Sequence, residues 1–307
     1  MPIVRRFKQV DVFTQQPCKG NPLAVIMEAK RLTEGQMQDI ARWTNLSETA
    51  FVLPATNPLA DYHVRIFTPE SELPFAGHPT LGTAHALLED GLRPKNARQI
   101  VQQCGIGLVP INISKSDGLA FHAPQATIVP LENQHIPLLE KTIGSGQIDL
   151  RYAPAAVHMG IRWLVVRVDS ADACLNIVAD AQALTALQTA SQTQGIAIYG
   201  PHPDAIPADY EIRALYIERG ALKEDPVTGS ANACLAALLR QQHALPALTR
   251  LGYRVRQGTV LQRDGRITVT YLNDEPWIGG HSVTIVEGSM QLQTGNADGN
   301  SIDECDV

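Results

Sequence analysis

The residues best placed to do chemistry lie in two turns of similar sequence. One turn reads Leu73-Pro74-Phe75-Ala76-Gly77-His78, and the other reads Asp225-Pro226-Val227-Thr228-Gly229-Ser230. In each turn a proline fixes the approach of the chain, a glycine lets another backbone come close, and an alanine- and leucine-rich helix follows. The first N–H groups of a helix lack intrahelical partners and carry partial positive charge. Two helix starts aimed into one crevice would bind a carboxylate without any arginine.

Each of these residues also has an ordinary structural interpretation. The turns can be plain helix starts, with Ser230 as the helix cap. His78 either exchanges a proton with a ligand or is satisfied locally at the helix start. Asp225 either orients a substrate amine or His78, or is a capping carboxylate that the dipole of the following helix stabilises. The repetition of the turn is the observation that supports the functional interpretation.

Glu48 is a third candidate, in a polar turn that leads into the strand Ala50–Leu53. A glutamate at such a junction is usually solvated. If it pointed into a closed apolar crevice, desolvation would raise its pKa towards the range that suits a general acid/base. The sequence leaves both possibilities open. The neighbouring carboxylates Glu70, Glu72 and Glu224 are interpreted as exposed loop charges.

An internal repeat organises the elements that must position these residues. The segment Ala60–Arg65 recurs as Ala208–Arg213, 148 residues later, with four of six residues identical, and the turn recurs 152 residues later. The repeat predicts two related halves, each with a strand, a proline-glycine turn and a helix. Both helices have little polar surface, so we expect them to be buried. The halves would meet face to face around a crevice, where small-molecule sites often form.

Apolar periodicity predicts ten strands and four helices. The strands are Val10–Phe13, Leu23–Ile26, Ala50–Leu53, Tyr62–Phe67, Leu108–Ile113, Trp163–Val168, Ile196–Tyr199, Tyr210–Tyr216, Ile267–Tyr271 and Val283–Val286. The helices are Thr33–Thr44 with Thr33 as its cap, Thr80–Glu89, Ala181–Thr189 and Ser230–Gln242. The proline-rich stretches Ala123–Pro130 and Pro201–Pro207 predict loops.

Composition narrows the class of protein. The 307 residues carry a net charge of −6, which disfavours a nucleic-acid binder. The five cysteines are widely separated and form no CxxC pair, so neither a disulfide scaffold nor a structural zinc site is expected. No apolar run approaches the ~20 residues of a membrane span, and no signal stretch follows the N-terminal arginines. We therefore expect a cytoplasmic protein that binds neither membrane nor nucleic acid.

Five motifs together resemble a known family, the PhzF-like phenazine-biosynthesis isomerases of the diaminopimelate epimerase-like superfamily. The resemblance runs from about Phe7 to Glu287 and rests on Val10–Phe13, Gly20–Val25, Asn45–Thr49, Ala76–Thr80 and Asp225–Ala231. It implies an α+β fold of two pseudo-symmetric halves, each a curved, mostly antiparallel sheet or barrel around a central helix. We expect an N-terminal half at 1–124, a C-terminal half at 125–290 whose last strand returns to the first half, and a mobile acidic tail at 291–307.

The resemblance also implies the activity and its residues. Glu48 matches the family's catalytic glutamate, and His78 and Asp225 match the supporting histidine and aspartate. Gly77, Gly229 and Ser230 match its ligand-holding residues. The implied protein is a homodimer and a cofactor- and metal-independent isomerase of a small carboxylate, similar to trans-2,3-dihydro-3-hydroxyanthranilate isomerase. Two alternatives stay open: an epimerase or racemase of an amino-acid-like acid, and a non-catalytic module that binds a small acid or a protein.

Two departures from related proteins bear on the mechanism. The related epimerases use a cysteine at each of the paired turns, where this chain has Ala76 and Thr228. Neither residue exchanges a proton at neutral pH, so a two-thiol racemase mechanism is excluded. The segment Gln262–Arg266 replaces the glycine-arginine-proline-serine turn of many PhzF-like members, which weakens the assignment of a substrate.

Overall fold

The computed structural model describes residues 3–114, 116–144, 147–203, 207–243 and 251–292. The first half contains eight strands and two helices: β1 Ile3–Val12, β2 Asn21–Ile26, α1 Glu34–Thr44, β3 Thr49–Leu53, β4 Tyr62–Phe67, β5 Glu72–Leu73, α2 Gly77–Glu89, β6 Gln99–Cys104, β7 Gly107–Ser114 and β8 Gly118–His122.

The rest of the described chain repeats this order with additions: β9 Thr127–Pro130, α3 Ile136–Ile143, β10 Ala155–Met159, β11 Ile161–Arg167, α4 Ala171–Asn176, α5 Ala181–Ser191, β12 Gly195–Pro201, β13 Tyr210–Glu218, β14 Ala221–Asp225, α6 Gly229–Gln241, β15 Gly252–Gln257, β16 Gly265–Leu272, β17 Glu275–Gly280 and β18 Ser282–Leu292.

Strand pairing confirms the two related halves. In the first half β1–β2 is antiparallel, β2–β3 parallel, β3–β4 antiparallel, β4–β6 parallel and β6–β7–β8 antiparallel. The second half runs β10–β11, β11–β12, β12–β13, β13–β15 and β15–β16–β17 with the same sequence of directions. The segment Ala60–Arg65 leads into β4, and its repeat Ala208–Arg213 leads into β13. The predicted α+β fold of two similar halves is therefore confirmed.

The two halves form one continuous sheet. Strand β8 pairs with β17, which joins the halves edge to edge. Strand β9 follows the first half and pairs with β10, the first strand of the second half. Strand β18 follows the second half and pairs with β1, the first strand of the first half. Each half thus receives one strand from the chain that follows the other half.

The helices α2 and α6 are buried, as their composition predicts. Their side chains pack with those of the surrounding strands in one core that spans both halves. A second core lies under α3, α4 and α5, and a third lies under α1. Helix α1 begins at the predicted cap, where Thr33 and Gln36 form a reciprocal capping box. No helix among the described residues combines the length and apolar composition that crossing a bilayer requires.

All ten predicted strands and four predicted helices lie on observed elements, but several details were wrong. Residues 127–130 form β9 rather than a loop; it pairs with β10, and an edge strand tolerates the proline at its end. Both central helices begin earlier than predicted, at Gly77 and Gly229. The predicted tail begins inside β18, which extends to Leu292, and residues 293–307 lie outside the described residues. Residues 204–206 of the second predicted loop also lie outside them.

The N-terminal ends of α2 and α6 meet through glycine backbone. A Cβ added at Gly229 would lie 3.1 Å from the Cα of Gly77 and 3.2 Å from the backbone nitrogen of His78. One added at Gly77 would lie 2.9 Å from the ring of Phe121. Because these neighbours are backbone and a buried ring, a side chain at either position would force the helix ends apart.

We predict that Gly229→Ala lowers the free energy of unfolding by about 1–3 kcal/mol, the usual cost of overpacking a close contact. Gly35→Ala is the matched control, since a Cβ added there in α1 meets no atom of the described residues within 4 Å. Replacing that helical glycine should be neutral or stabilise the protein by up to about 1 kcal/mol. Urea denaturation of the two variants checks the difference, and equal stabilities would show that the helix ends tolerate separation.

Candidate active site

A cavity of about 280 Å³ lies where the two helix ends meet. Strand register extends the correspondence between the halves to this cavity. Thr49 opens β3 opposite Ala24, and Gly195 opens β12 opposite Trp163. Glu48 therefore corresponds to Gln194, and the repeat supplies further pairs. Six pairs line the cavity: Glu48/Gln194, Thr68/Tyr216, Leu73/Asp225, Ala76/Thr228, Gly77/Gly229 and His78/Ser230.

The two residues of each pair occupy equivalent positions in the two halves, but most pairs differ in chemistry. Only the two glycines are identical, so the cavity has a pseudo-symmetric backbone and asymmetric side chains. A carboxyl in one half corresponds to an amide in the other at one pair, an imidazole corresponds to a hydroxyl at another, and a leucine corresponds to a carboxyl at a third. The cavity can therefore hold a substrate in one orientation and act on it from one wall.

Glu48 points into this cavity, as a catalytic role requires. Its side chain is 14% exposed, and Oε2 is buried with no hydrogen-bond partner among the described residues. Burial and the nearby charge of Asp225 raise the pKa of Glu48 to about 8, against a smaller opposing effect of a Ser47 hydrogen bond. At neutral pH the carboxyl holds a proton and has spare hydrogen-bonding capacity.

His78 lies beside Glu48 but forms no ion pair with it. The two atoms His78 Nε2 and Glu48 Oε2 are 3.5 Å apart. Burial lowers the pKa of His78 to about 3, so its imidazole is neutral. Nε2 is buried and, like Glu48 Oε2, has no hydrogen-bond partner in the described part of the chain. Two neighbouring polar atoms are thus left for a ligand, because buried polar groups are normally paired.

Asp225 ends β14, and its carboxylate is held from two sides. Thr228 donates its hydroxyl to Oδ2 at 2.5 Å, and Asn21 donates its amide to Oδ1 at 3.0 Å. Burial raises the pKa of Asp225 to about 6, although both hydrogen bonds oppose the rise. Nearby Glu224 is a partly buried strand residue paired with Arg213, so its interpretation as an exposed loop charge was wrong.

Asn21 connects the three candidates, and the sequence interpretation missed this role. Its amide also donates to the carbonyl of Val227 at 2.8 Å, lies 3.5 Å from His78 Nδ1, and accepts from Ser47, the neighbour of Glu48. The side chain is completely buried. The only signal for it in the sequence was the motif Gly20–Val25.

The start of α6 also differs from the capping interpretation. The helix cap is Thr228, and its side chain makes no capping hydrogen bond. The Thr228 hydroxyl instead accepts from Gln257 at 2.8 Å, while its backbone N–H donates to the same side chain. Ser230 lies inside the helix, where its hydroxyl accepts from the indole of Trp163. Ser230 is therefore not the cap.

Among the described residues, no lysine or arginine lines the cavity. Its donors are the N–H groups at the two helix ends and a few neutral side chains. These N–H groups favour an anion, and the carboxyls of Glu48, Asp225 and Glu218 also line the cavity. The arrangement suits a small ligand with a carboxylate at one end and hydrogen-bond donors at the other.

Comparison with known proteins identifies the family. The family model "PhzC-PhzF: Phenazine biosynthesis-like protein" matches residues 10–288. The chain belongs to the PhzC/PhzF family. Several curated relatives are named isomerases, and this PhzF-family chain is accordingly an enzyme of the isomerase class.

Three relatives illustrate the range of similarity. Antisense-enhancing sequence 1 of Schizosaccharomyces pombe is 34% identical over 297 residues, covering 92% of this chain and 97% of the relative. An uncharacterized isomerase of Pasteurella multocida is 33% identical over 290 residues, covering 94% and 95%. The trans-2,3-dihydro-3-hydroxyanthranilate isomerase of Pseudomonas fluorescens is 36% identical over 176 residues, covering 57% and 62%.

Solved structures confirm the diaminopimelate epimerase-like fold. A PhzF-family protein of Bacillus anthracis has a TM-score of 0.80 at 24% identity, covering 94% of this chain and 99% of that chain. A hydroxyproline epimerase of Agrobacterium vitis has a TM-score of 0.60 at 13% identity, covering 95% and 94%.

The raised pKa of Glu48 predicts how the stability of this PhzF-family protein depends on pH. Between pH 4.5 and about 8 the folded carboxyl keeps a proton that the unfolded chain releases. The free energy of unfolding therefore decreases as pH rises through this window. Glu48→Gln removes the titration, so its stability relative to the wild-type protein should increase from pH 5 to pH 8.

Urea denaturation at both pH values measures this change. Glu132→Gln is the control, because Glu132 is exposed and loses little hydration on folding. A stability difference between Glu48→Gln and the wild type that is the same at pH 5 and pH 8 would contradict the shifted pKa.

Proposed function

We propose that the chain catalyses cofactor-independent isomerisation of a small carboxylate, with Glu48 as the general acid/base. The observation that carries the proposal is the position of Glu48 Oε2 at the wall of the cavity, where it is buried and has no hydrogen-bond partner in the described part of the chain. A carboxyl with a pKa near neutrality both accepts and returns a proton readily.

The asymmetry of the cavity favours one proton carrier over two. The counterpart of Glu48 is Gln194, an amide that does not titrate. The positions that carry thiols in the related epimerases are Ala76 and Thr228. An isomerase that moves a proton along one face of its substrate needs a single carrier, whereas an epimerase needs acid/base groups on both faces.

The reaction is an isomerisation because the proton that leaves the substrate returns to the same molecule. The ionised carboxylate of Glu48 takes a proton from a carbon activated by conjugation, and the C–H electron pair moves into the conjugated system. A double bond shifts, and Glu48 returns the proton to a different carbon on the same face. Exclusion of water keeps the proton on Glu48 between the two steps.

The remaining residues have roles in holding the substrate. The helix ends at Gly77, Gly229 and Ser230 bind the carboxylate, and His78 and Asp225 orient a hydroxyl and an amine. The name of the Pseudomonas fluorescens relative makes trans-2,3-dihydro-3-hydroxyanthranilate the first trial substrate. Because Gln262–Arg266 differs from the glycine-arginine-proline-serine turn of many PhzF-like members, other small carboxylates should be tested as substrates next.

Glu48→Gln tests the proposal. The variant should retain its fold and ligand affinity but lose turnover by about 10³-fold or more, in the range that acid/base groups contribute. Turnover of the wild type should rise with pH towards about 8, since only the ionised carboxyl removes a proton. Glu132→Gln should behave as wild type.

Products formed in deuterated water separate the reaction classes. Deuterium at the new C–H position together with a shifted double bond supports isomerisation. Inversion at one carbon with no shifted double bond would identify an epimerase instead. A tightly retained metabolite that neither wild type nor Glu48→Gln consumes would identify a binding module, and near-normal turnover by Glu48→Gln would reject the role of Glu48.

A further inference from the structure

The wall of the cavity formed by the second half carries a contact that the proposed proton transfer does not use. Trp163 donates its indole N–H to Ser230 Oγ at 3.0 Å. The two side chains belong to β11 and α6, line the cavity and are almost completely buried, at 5% and 7% exposure. A strand residue thus reaches the hydroxyl at the start of the helix.

This contact determines what the Ser230 hydroxyl can still do. A hydroxyl donates one hydrogen and accepts others, whereas an indole N–H only donates. Ser230 must therefore be the acceptor from Trp163, and its own hydrogen remains to be donated. Among the described residues, the Ser230 hydroxyl forms a hydrogen bond with the indole alone. The hydroxyl hydrogen is thus available to an oxygen atom of a ligand in the cavity.

The indole is held in place by the sheet. Trp163 lies opposite Gly195 in the β11–β12 pairing, and a Cβ added at Gly195 would lie 2.4 Å from the Trp163 ring. In the first half the corresponding pair is Ala24 and Thr49. The second half therefore provides an indole and a hydroxyl where the first half provides a small residue and the imidazole of His78.

We propose that Trp163 is a positioning residue: its indole N–H occupies one lone pair of Ser230 Oγ and so directs the hydroxyl hydrogen to a substrate carboxylate on this wall of the cavity. The N–H groups at the starts of α6 and α2, which meet at Gly229 and Gly77, complete the anion site. The opposite wall, with Glu48 and His78, is left for the reacting carbons. The inference rests on the proposed function, because it assumes that the cavity takes a small carboxylate.

Calorimetric binding of two probes tests the inference: anthranilate, which carries a carboxylate, and 2-aminobenzamide, its neutral counterpart. The wild type should prefer anthranilate. Trp163→Phe removes the indole N–H and keeps an aromatic ring, and Ser230→Ala removes the hydroxyl. Each should weaken anthranilate binding about tenfold, as expected for a hydrogen bond to a charged group, and weaken 2-aminobenzamide binding less, because a hydrogen bond to a neutral amide oxygen is weaker. The double variant should lose no more than either single variant, since the two residues act as one unit.

Trp277→Phe is the matched control, because Trp277 lies on β17 and does not line the cavity. It should bind both probes as the wild type does. If Trp163→Phe does not fold, Ser230→Ala carries the test alone, because we expect that variant also to lose preference for anthranilate over 2-aminobenzamide. Equal wild-type affinity for the two probes, wild-type anthranilate affinity in Trp163→Phe or Ser230→Ala, or additive losses in the double variant would overturn the inference.

Failure of the proposed reaction would appear in a different measurement. It would show as continued turnover by Glu48→Gln, whatever the probe affinities of the Trp163 and Ser230 variants. The probe-binding measurements on the Trp163 and Ser230 variants therefore test the anion site, and the turnover assay separately tests the proton carrier.

Discussion

The close approach of two helix ends, through glycine backbone at Gly77 and Gly229, is the constraint on which the rest of the structure depends. It requires that α2 and α6 be buried with their first turns facing each other, and the duplicated sheet arranges this. The contact leaves the N-terminal ends of both helices at the wall of one small cavity. A duplicated fold thereby produces an anion-binding centre that lies between the halves and belongs to neither alone.

The chemistry comes from the differences between the halves. Duplication places residues in pairs, and divergence has left a titratable carboxyl at Glu48 against an amide at Gln194. Burial in the cavity disfavours ionisation of Glu48, whereas the N–H groups at the helix ends favour an anionic ligand, so the same cavity accounts for both substrate binding and proton exchange. Asp225 adds to this effect and is itself kept in place by Asn21 and Thr228.

The sequence predicted what repeats and periodicity encode, namely the two halves, the buried helices and the turns ahead of them, but not strand β14, which ends at Asp225. It missed contacts between residues distant in the chain. Asn21 touches Asp225 across the junction of the halves, and Trp163, which reads as an apolar strand residue, supplies a donor to α6. Gln194 becomes the counterpart of Glu48 only once strand register is known. The homodimer, the cytoplasmic location and the boundary near residue 124 stay predictions, since a single folded chain does not test them.

The central claim is that a desolvated carboxyl at position 48 holds a proton at neutral pH. Carbon-13 NMR of protein labelled at the glutamate side-chain carboxyls, with the Glu48 signal assigned by its absence in Glu48→Gln, measures this directly. The account predicts a titration midpoint for Glu48 well above the ordinary 4.5 and near 8. A midpoint close to 4.5 would place the carboxyl in water and contradict the account.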